Sequence, residues 1–209
     1  MTKKLHRHYH KNYDKITRFI SYYHQLKLVR DIEPKKILEI GIGNKTVSDY
    51  LKRHGFNVVT CDFDSKLKPD VIADVRKLPF KKSEFDLVLA CEILEHIPYT
   101  DVRKALEEIN KVTSKYAIIS VPYSQIYFGC SITFPLISRI FNKEFFNFFI
   151  GIPSHTKIKF NGEHYWELGR KGYSLRKIRK NIKQNFKILE EKRSLPYPIH
   201  YFFLLEKKA

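Results

Sequence analysis

Short, almost wholly apolar runs recur along the first 123 residues, separated by stretches of helical period. They predict strands at about 36–41, 57–62, 70–73, 85–90 and 116–121, the last ended by Pro122. Ile37, Leu38 and Ile40 mark the first of these. Helices are expected at 46–53 and from a cap at Asp101 to about Val112, with Ala105, Leu106 and Ile109 facing inward. An earlier helix places Ile16, Phe19, Ile20, Tyr23 and Leu26 or Lys27 near one stripe. Near the C-terminus Ser174 caps a helix to about Gln184, with Leu175, Ile178 and Ile182 inward. Runs at 186–190 and 201–205 then read as two final strands. Apolar strands alternating with amphipathic helices imply a parallel sheet covered on both faces.

Residues 123–160 break this alternation with an aromatic-rich insertion. Thr133-Phe134-Pro135 reads as a helix start and Gly151 as its stop. Leu136, Ile137, Ile140, Phe141 and Phe148 would share a face, interrupted by Glu144, which is too broken to cross a membrane. Three readings stand: a lid over an apolar substrate, which leads, a face packed on the core, and an element lying on a membrane surface.

The chain has 209 residues, 43% of them hydrophobic, which suits one domain over residues 1–209 with a substantial core. No uncharged apolar run of about 18 residues occurs, and the N-terminus lacks the apolar centre of a secretory signal. Cys61, Cys91 and Cys130 lack metal-type spacing and leave an odd thiol, so no metal site and a reducing, cytoplasmic setting are expected. The net charge is +17, and 12 Lys or Arg stand against 4 Glu between His155 and Arg193. Nucleic acid, an anionic membrane surface or an acidic substrate would all be attracted, although a solvated lysine-rich surface is the plainer reading.

The chemistry starts where the first strand meets Gly41-Ile42-Gly43 and the next helix, a turn that lets backbone approach a nucleotide-like ligand. Asp62 ends the second strand, 21 residues after Gly41, where an acid can accept hydrogen bonds from ribose hydroxyls. A dinucleotide fold wants a third glycine, and Thr46 stands in that place. Glu39, two residues before the first glycine, would repel a pyrophosphate but suits a cationic ligand. S-adenosylmethionine, with an ammonium, a sulfonium and no phosphate, fits this charge logic.

The segment Glu39-Ile40-Gly41-Ile42-Gly43-Asn44-Lys45 resembles the E-x-G-x-G-x-G of the class I S-adenosylmethionine-dependent methyltransferases, particularly the ubiquinone-biosynthesis-like small-molecule type. Lys45 stands where a final glycine is usual. The resemblance continues through Asp74-Val75-Arg76-Lys77-Leu78-Pro79-Phe80 and through Phe85 to His96, covering roughly residues 13–123. It implies a Rossmann-like, seven-stranded α/β sheet of order 3-2-1-4-5-7-6, strand 7 antiparallel, with the first helix over the cofactor cleft. It implies that Glu39, Gly41 and Gly43 hold the methionyl end, that Asp62 takes the ribose and that Phe63 lies beside the adenine. Asp74 and Val75 would meet the adenine edge, and Cys91 and Glu92 would line the methionine side. His96 would close that pocket or pack beneath it.

Methyl transfer from a sulfonium chiefly needs alignment and exclusion of water, with a base only where the acceptor holds its proton. His164 is the first choice for such a base and Glu167 the second, in the cluster Asn161–Gly169 that also holds the single tryptophan, Trp166. After the fourth strand the chain reads Ala90-Cys91-Glu92-Ile93, which lacks the Pro-Pro-aromatic run of base-amino methylation and the Pro-Cys pair of cytosine-carbon methylation. The expectation is therefore a small-molecule acceptor, apolar or glycan-linked. RNA methylation and a catalytically silent cofactor-binding adaptor are the alternatives, and peripheral membrane contact stays open.

Overall fold

A computed structural model of the protein describes residues 13–134, 140, 141, 146–160 and 162–208. The elements run α1 (Ile16–Ile32), β1 (Lys36–Ile40), α2 (Thr46–Arg53), β2 (Asn57–Asp62), β3 (Val71–Ile72), β4 (Phe85–Cys91), α3 (Val102–Val112) and β5 (Thr113–Pro122). There follow β6 (Gln125–Ile132), β7 (Phe146–Pro153), α4 (Leu175–Asn185), β8 (Phe186–Arg193) and β9 (His200–Lys207). Seven strands form one sheet in the order β3-β2-β1-β4-β5-β9-β8. The pairs among β1 to β5 are parallel, and β9 is antiparallel to both β5 and β8. Counting only these strands, the expected order 3-2-1-4-5-7-6 holds.

Two apolar layers flank the sheet. One gathers Leu38, Val88, Ala117 and Phe203 with α3 and α4 residues such as Leu106 and Ile182. The other gathers Ile37, Leu87, Leu89 and Ile118 with Leu28 of α1 and Leu51 of α2. Adjacent residues on each strand thus enter opposite layers, and both are apolar, which explains why the strands read as continuous hydrophobic runs. Ser174 caps α4, its side chain accepting from the Lys177 amide.

Three expectations are corrected. On α1 the buried positions are Ser21, Tyr22, Gln25, Leu28 and Val29, while Ile16, Phe19 and Tyr23 face solvent. Periodicity located a stripe, but burial follows a different one, in which Gln25 donates to Ser21. Asp101 precedes α3 without a side-chain cap, because its carboxylate accepts from Arg76 Nη1 at 2.8 Å.

The third concerns the insertion. Gly151 is no helix stop and Phe148 no helix residue: β6 and β7 pair antiparallel as a separate two-stranded ribbon. Leu136, Ile137 and Glu144 of the expected helix lie outside the described residues. In register, Ile126 opposes Ile152, Phe128 opposes Ile150 and Cys130 opposes Phe148. One ribbon face is therefore apolar, and Ile126, Phe128, Phe148, Ile150 and Ile152 are all exposed on it. This face, at least, is not packed on the core. No helix among the described residues is long and apolar enough to cross a membrane.

Candidate functional site

The C-terminal ends of β1, β2 and β4 carry the residues expected to hold a cofactor. In an open parallel sheet the strands end here at a crevice where connections part, which is where ligands bind. Gly41 and Gly43 take left-handed conformations, φ 78° and 51°, and so does Lys45 at 66°. A side chain is strained there, which accounts for the glycine usual at the lysine's position. A Cβ on Gly41 would lie 1.8 Å from Ile93 Cδ1, so this glycine makes room for the segment after β4.

Glu39 is buried at the end of β1, and its Oε2 has no hydrogen-bond partner. Burial pushes its carboxyl up to about 8, against smaller opposing pulls from Ser48 and Lys52. An orphaned buried carboxylate at a glycine turn is a site for a cationic group. Asp62, also buried, accepts from the Ile42 amide at 3.0 Å and the Asp64 amide at 2.9 Å. These bonds fix its carboxylate and leave each oxygen a lone pair for a hydroxyl. Phe63 beside it is 67% exposed, an aromatic face open to a planar ring. These three residues could meet an ammonium, a vicinal diol and a heterocycle, and S-adenosylmethionine carries all three.

Other expected residues are otherwise engaged. Asp74 is clasped by Arg76 through Nη2 at 2.6 Å and Nε at 2.9 Å, and it also accepts from the Arg76 amide. Val75 is buried in the core. Cys91 ends β4 with its thiol raised by burial. Glu92 sits at φ 57°, a costly conformation for a non-glycine residue. Its amide donates to the Ser120 carbonyl at 2.9 Å, its Oε1 accepts from Ser120 Oγ at 2.7 Å, and His200 Nε2 lies 3.6 Å from Oε2.

Beyond Glu92 the chain turns through Leu94–His96 and meets the loop carrying His164. Three bonds stitch the two together. The Tyr165 amide donates to Glu95 O at 2.8 Å, Trp166 Nε1 donates to Leu94 O at 3.0 Å, and His96 Nδ1 donates to Glu163 O at 3.0 Å. His96 and His164 meet edge to face with ring centres 5.0 Å apart. His164 Nδ1 lies 2.9 Å from Glu167 Oε1, and Arg170 Nε holds Glu167 Oε2 at 3.0 Å. The His164 bond and Arg170 keep the Glu167 carboxyl below its ordinary range, so it is an anion that orients the imidazole. Trp166 is fully buried against Tyr99, an anchor for the loop. Sequence reasoning passed over Glu95, which is fully buried with neither carboxylate oxygen hydrogen-bonded. The only signal was its place in Glu92-Ile93-Leu94-Glu95-His96, which says nothing of burial.

Residues 38–121 match the family described as "Methyltransferase domain". No curated protein matches the sequence significantly. Among solved structures, the PH0226 protein of Pyrococcus horikoshii OT3 superposes with a TM-score of 0.65 at 16% identity, covering 100% of both chains. A 1,6-didemethyltoxoflavin-N1-methyltransferase of Burkholderia thailandensis gives 0.64 at 15%, covering 99% of this chain and 86% of the other. The N-methyltransferase NodS of Bradyrhizobium japonicum WM9 gives 0.63 at 11%, covering 99% and 97%. At these identities the superpositions speak for the fold, while the family match falls on the strands and turns that bear Glu39, Gly41, Asp62 and Glu92. By the match over residues 38–121 the chain carries a methyltransferase domain, and its sheet order is that of the S-adenosylmethionine-dependent methyltransferases of class I which it resembles.

Proposed function

We propose that the protein methylates a small acceptor, apolar or glycan-linked, held between the turn after β4 and the loop bearing His164. When bound, S-adenosylmethionine supplies a methyl group on a sulfonium, an excellent leaving group. Glu39 would hold its ammonium, Asp62 its ribose hydroxyls and Phe63 its adenine. The solved 1,6-didemethyltoxoflavin-N1-methyltransferase, crystallised with 1,6-didemethyltoxoflavin and S-adenosylhomocysteine, is a precedent for this pairing on the same fold, and NodS, with S-adenosylhomocysteine, for the cofactor half of it.

The observation that carries the acceptor side is the Glu167–His164 pair. An imidazole whose Nδ1–H is fixed by a carboxylate presents Nε2 as the basic nitrogen, which can take the proton of an acceptor hydroxyl or amine. Glu167, with its oxygens on His164 and Arg170, orients that ring and is not itself a base. The ribbon supports an apolar acceptor, since it springs from the same place: the Ser124 amide donates to Leu168 O at 2.8 Å, and Tyr123 bridges Leu168. We read the ribbon as the cover over that acceptor.

The test is turnover against a panel of apolar and glycosylated acceptors, read as S-adenosylhomocysteine released. His164→Ala should lower kcat by roughly 10²–10⁴, the usual contribution of a positioned base, and leave cofactor affinity nearly intact. A variant that bound the cofactor poorly yet turned over at the same kcat would place His164 in the cofactor shell and end this reading.

A further inference from the structure

The β6–β7 ribbon has two unlike faces, and the outer one is left uncovered. On the inner face Gln125 donates to the Pro198 carbonyl, Arg193 lies 4.9 Å over the Phe149 ring, and Tyr127 meets Phe149 with ring centres 5.7 Å apart. These contacts turn that face toward the end of the sheet built by β8 and β9. By the alternation of a strand, Ile126, Phe128, Cys130, Phe148, Ile150 and Ile152 point the other way. The Ile and Phe side chains among them are 58–76% exposed, so no described part of the chain shields them.

A two-stranded ribbon alone is marginal in water and needs a further layer to hold it, yet β6 and β7 pair only with each other. At roughly 200 Å² for a side chain of this size, the exposed Ile and Phe offer roughly 600 Å² of apolar surface. That is at the top of the range for a monomer's largest patch and approaches the roughly 800 Å² each partner gives to a stable interface. Charge narrows the occupant. The chain carries +17 and is 29% charged, but neither strand of the ribbon holds a charged residue. A nucleic acid or an acidic partner gains nothing from such a face. Elements that lie on lipid flank their apolar stripe with Lys or Arg, which these strands lack. Two copies of one basic chain, by contrast, can meet at an uncharged face without setting like charges against each other.

We propose that the outer face of the ribbon is the seam of a homodimer, in which the ribbons of two copies pack face to face about a two-fold axis. Such an axis matches the patch with itself, so Ile and Phe of one copy interdigitate with Ile and Phe of the other and form a small apolar core between them. The donor pocket is built by β1, β2 and β4, none of which belongs to the ribbon. The seam therefore does not rest on the proposed methyl transfer. Where the ribbon covers an acceptor it does so with its inner face, and the second copy steadies that cover from outside.

The test is sedimentation equilibrium of the full chain between about 1 and about 100 µM, the range of ordinary protein association. A monomer–dimer equilibrium is expected there, and it should tighten as salt is added, because salt screens the repulsion between two chains of +17. Phe128→Asp and Ile150→Asp each bury an unpaired charge in the seam and should raise the dissociation constant at least about tenfold. A cooperative melting transition at the dilute end shows that the variants are folded. Cys130, exposed on the same face, reports on the unaltered chain: its alkylation by N-ethylmaleimide should slow as the protein is concentrated and dimer forms. Should both variants fail to fold, an alkylation rate indifferent to protein concentration decides against the seam. A chain that stays monomeric at the highest concentration, or a dimer that both folded variants leave intact, overturns it. So does a monomer that floats with phosphatidylglycerol vesicles, which would put a lipid surface in the second copy's place.

Discussion

Among single residues, Glu39 has the sharpest physical signature. Its carboxyl, at about 8 in the folded chain, is raised above the ordinary 4.5. The folded state therefore holds this proton to higher pH than the unfolded chain does. The stability it contributes is whole below about 4.5 and drains away as pH rises through about 8. Glu39→Gln stays neutral throughout, so without cofactor it should gain in melting temperature relative to the parent as pH climbs from about 5 to about 8.5. S-adenosylhomocysteine brings an ammonium to the ionised carboxylate, so its stabilising effect should favour the parent most at the alkaline end. Parallel melting curves for the two proteins would mean that Glu39 does not titrate in this window. The Gly41 turn, Glu39 and Asp62 were legible in sequence because each is a local pattern on one strand end. Glu95 was not, because its burial depends on a loop that arrives from about 70 residues further on.

Among elements, the ribbon is the one whose reading changed most. Alternating apolar residues from Ile126 to Ile132 and from Phe146 to Ile152 are the mark of a strand with one apolar face. The aromatic density and the Thr133-Phe134-Pro135 start pointed to helical period instead. In α1 the fault was of a different kind: the period was right and the buried face wrong, since small and hydrogen-bonded polar residues occupy the inner side. The sheet was legible strand by strand because both its faces are covered, so each central strand is apolar throughout. The ribbon joins the body through few contacts, among them the Gln125 bond to Pro198 O and Arg193 lying 4.9 Å over the Phe149 ring. Its amides should therefore exchange with solvent at opening free energies well below global unfolding, and slow when an acceptor binds. Exchange as slow as that of β1 and β4 would show a rigid platform in place of a moving cover.

At the scale of the whole molecule the charge of +17 sets the competing partner. Some of the cations are engaged locally, Arg179 with Glu191 at 2.8 Å and Lys177 at 4.5 Å over the Tyr99 ring, but the net excess stands. It should draw RNA weakly, with log affinity falling by about 0.7 per phosphate contact against log salt, while turnover of an uncharged acceptor should hardly respond. Methyl incorporation into RNA that survives physiological salt would make RNA the substrate. The ribbon adds no strand to the seven-stranded sheet, which passes from β5 directly to β9 in space. The donor pocket is encoded almost continuously from β1 to the turn after β4, and the stretch between β5 and α4 lies outside it. On the proposed reading the β6–β7 ribbon can therefore be exchanged without breaking a pairing of the main sheet, whereas Trp166 and Leu168, both buried in the core, tie the loop that follows it to the turn after β4.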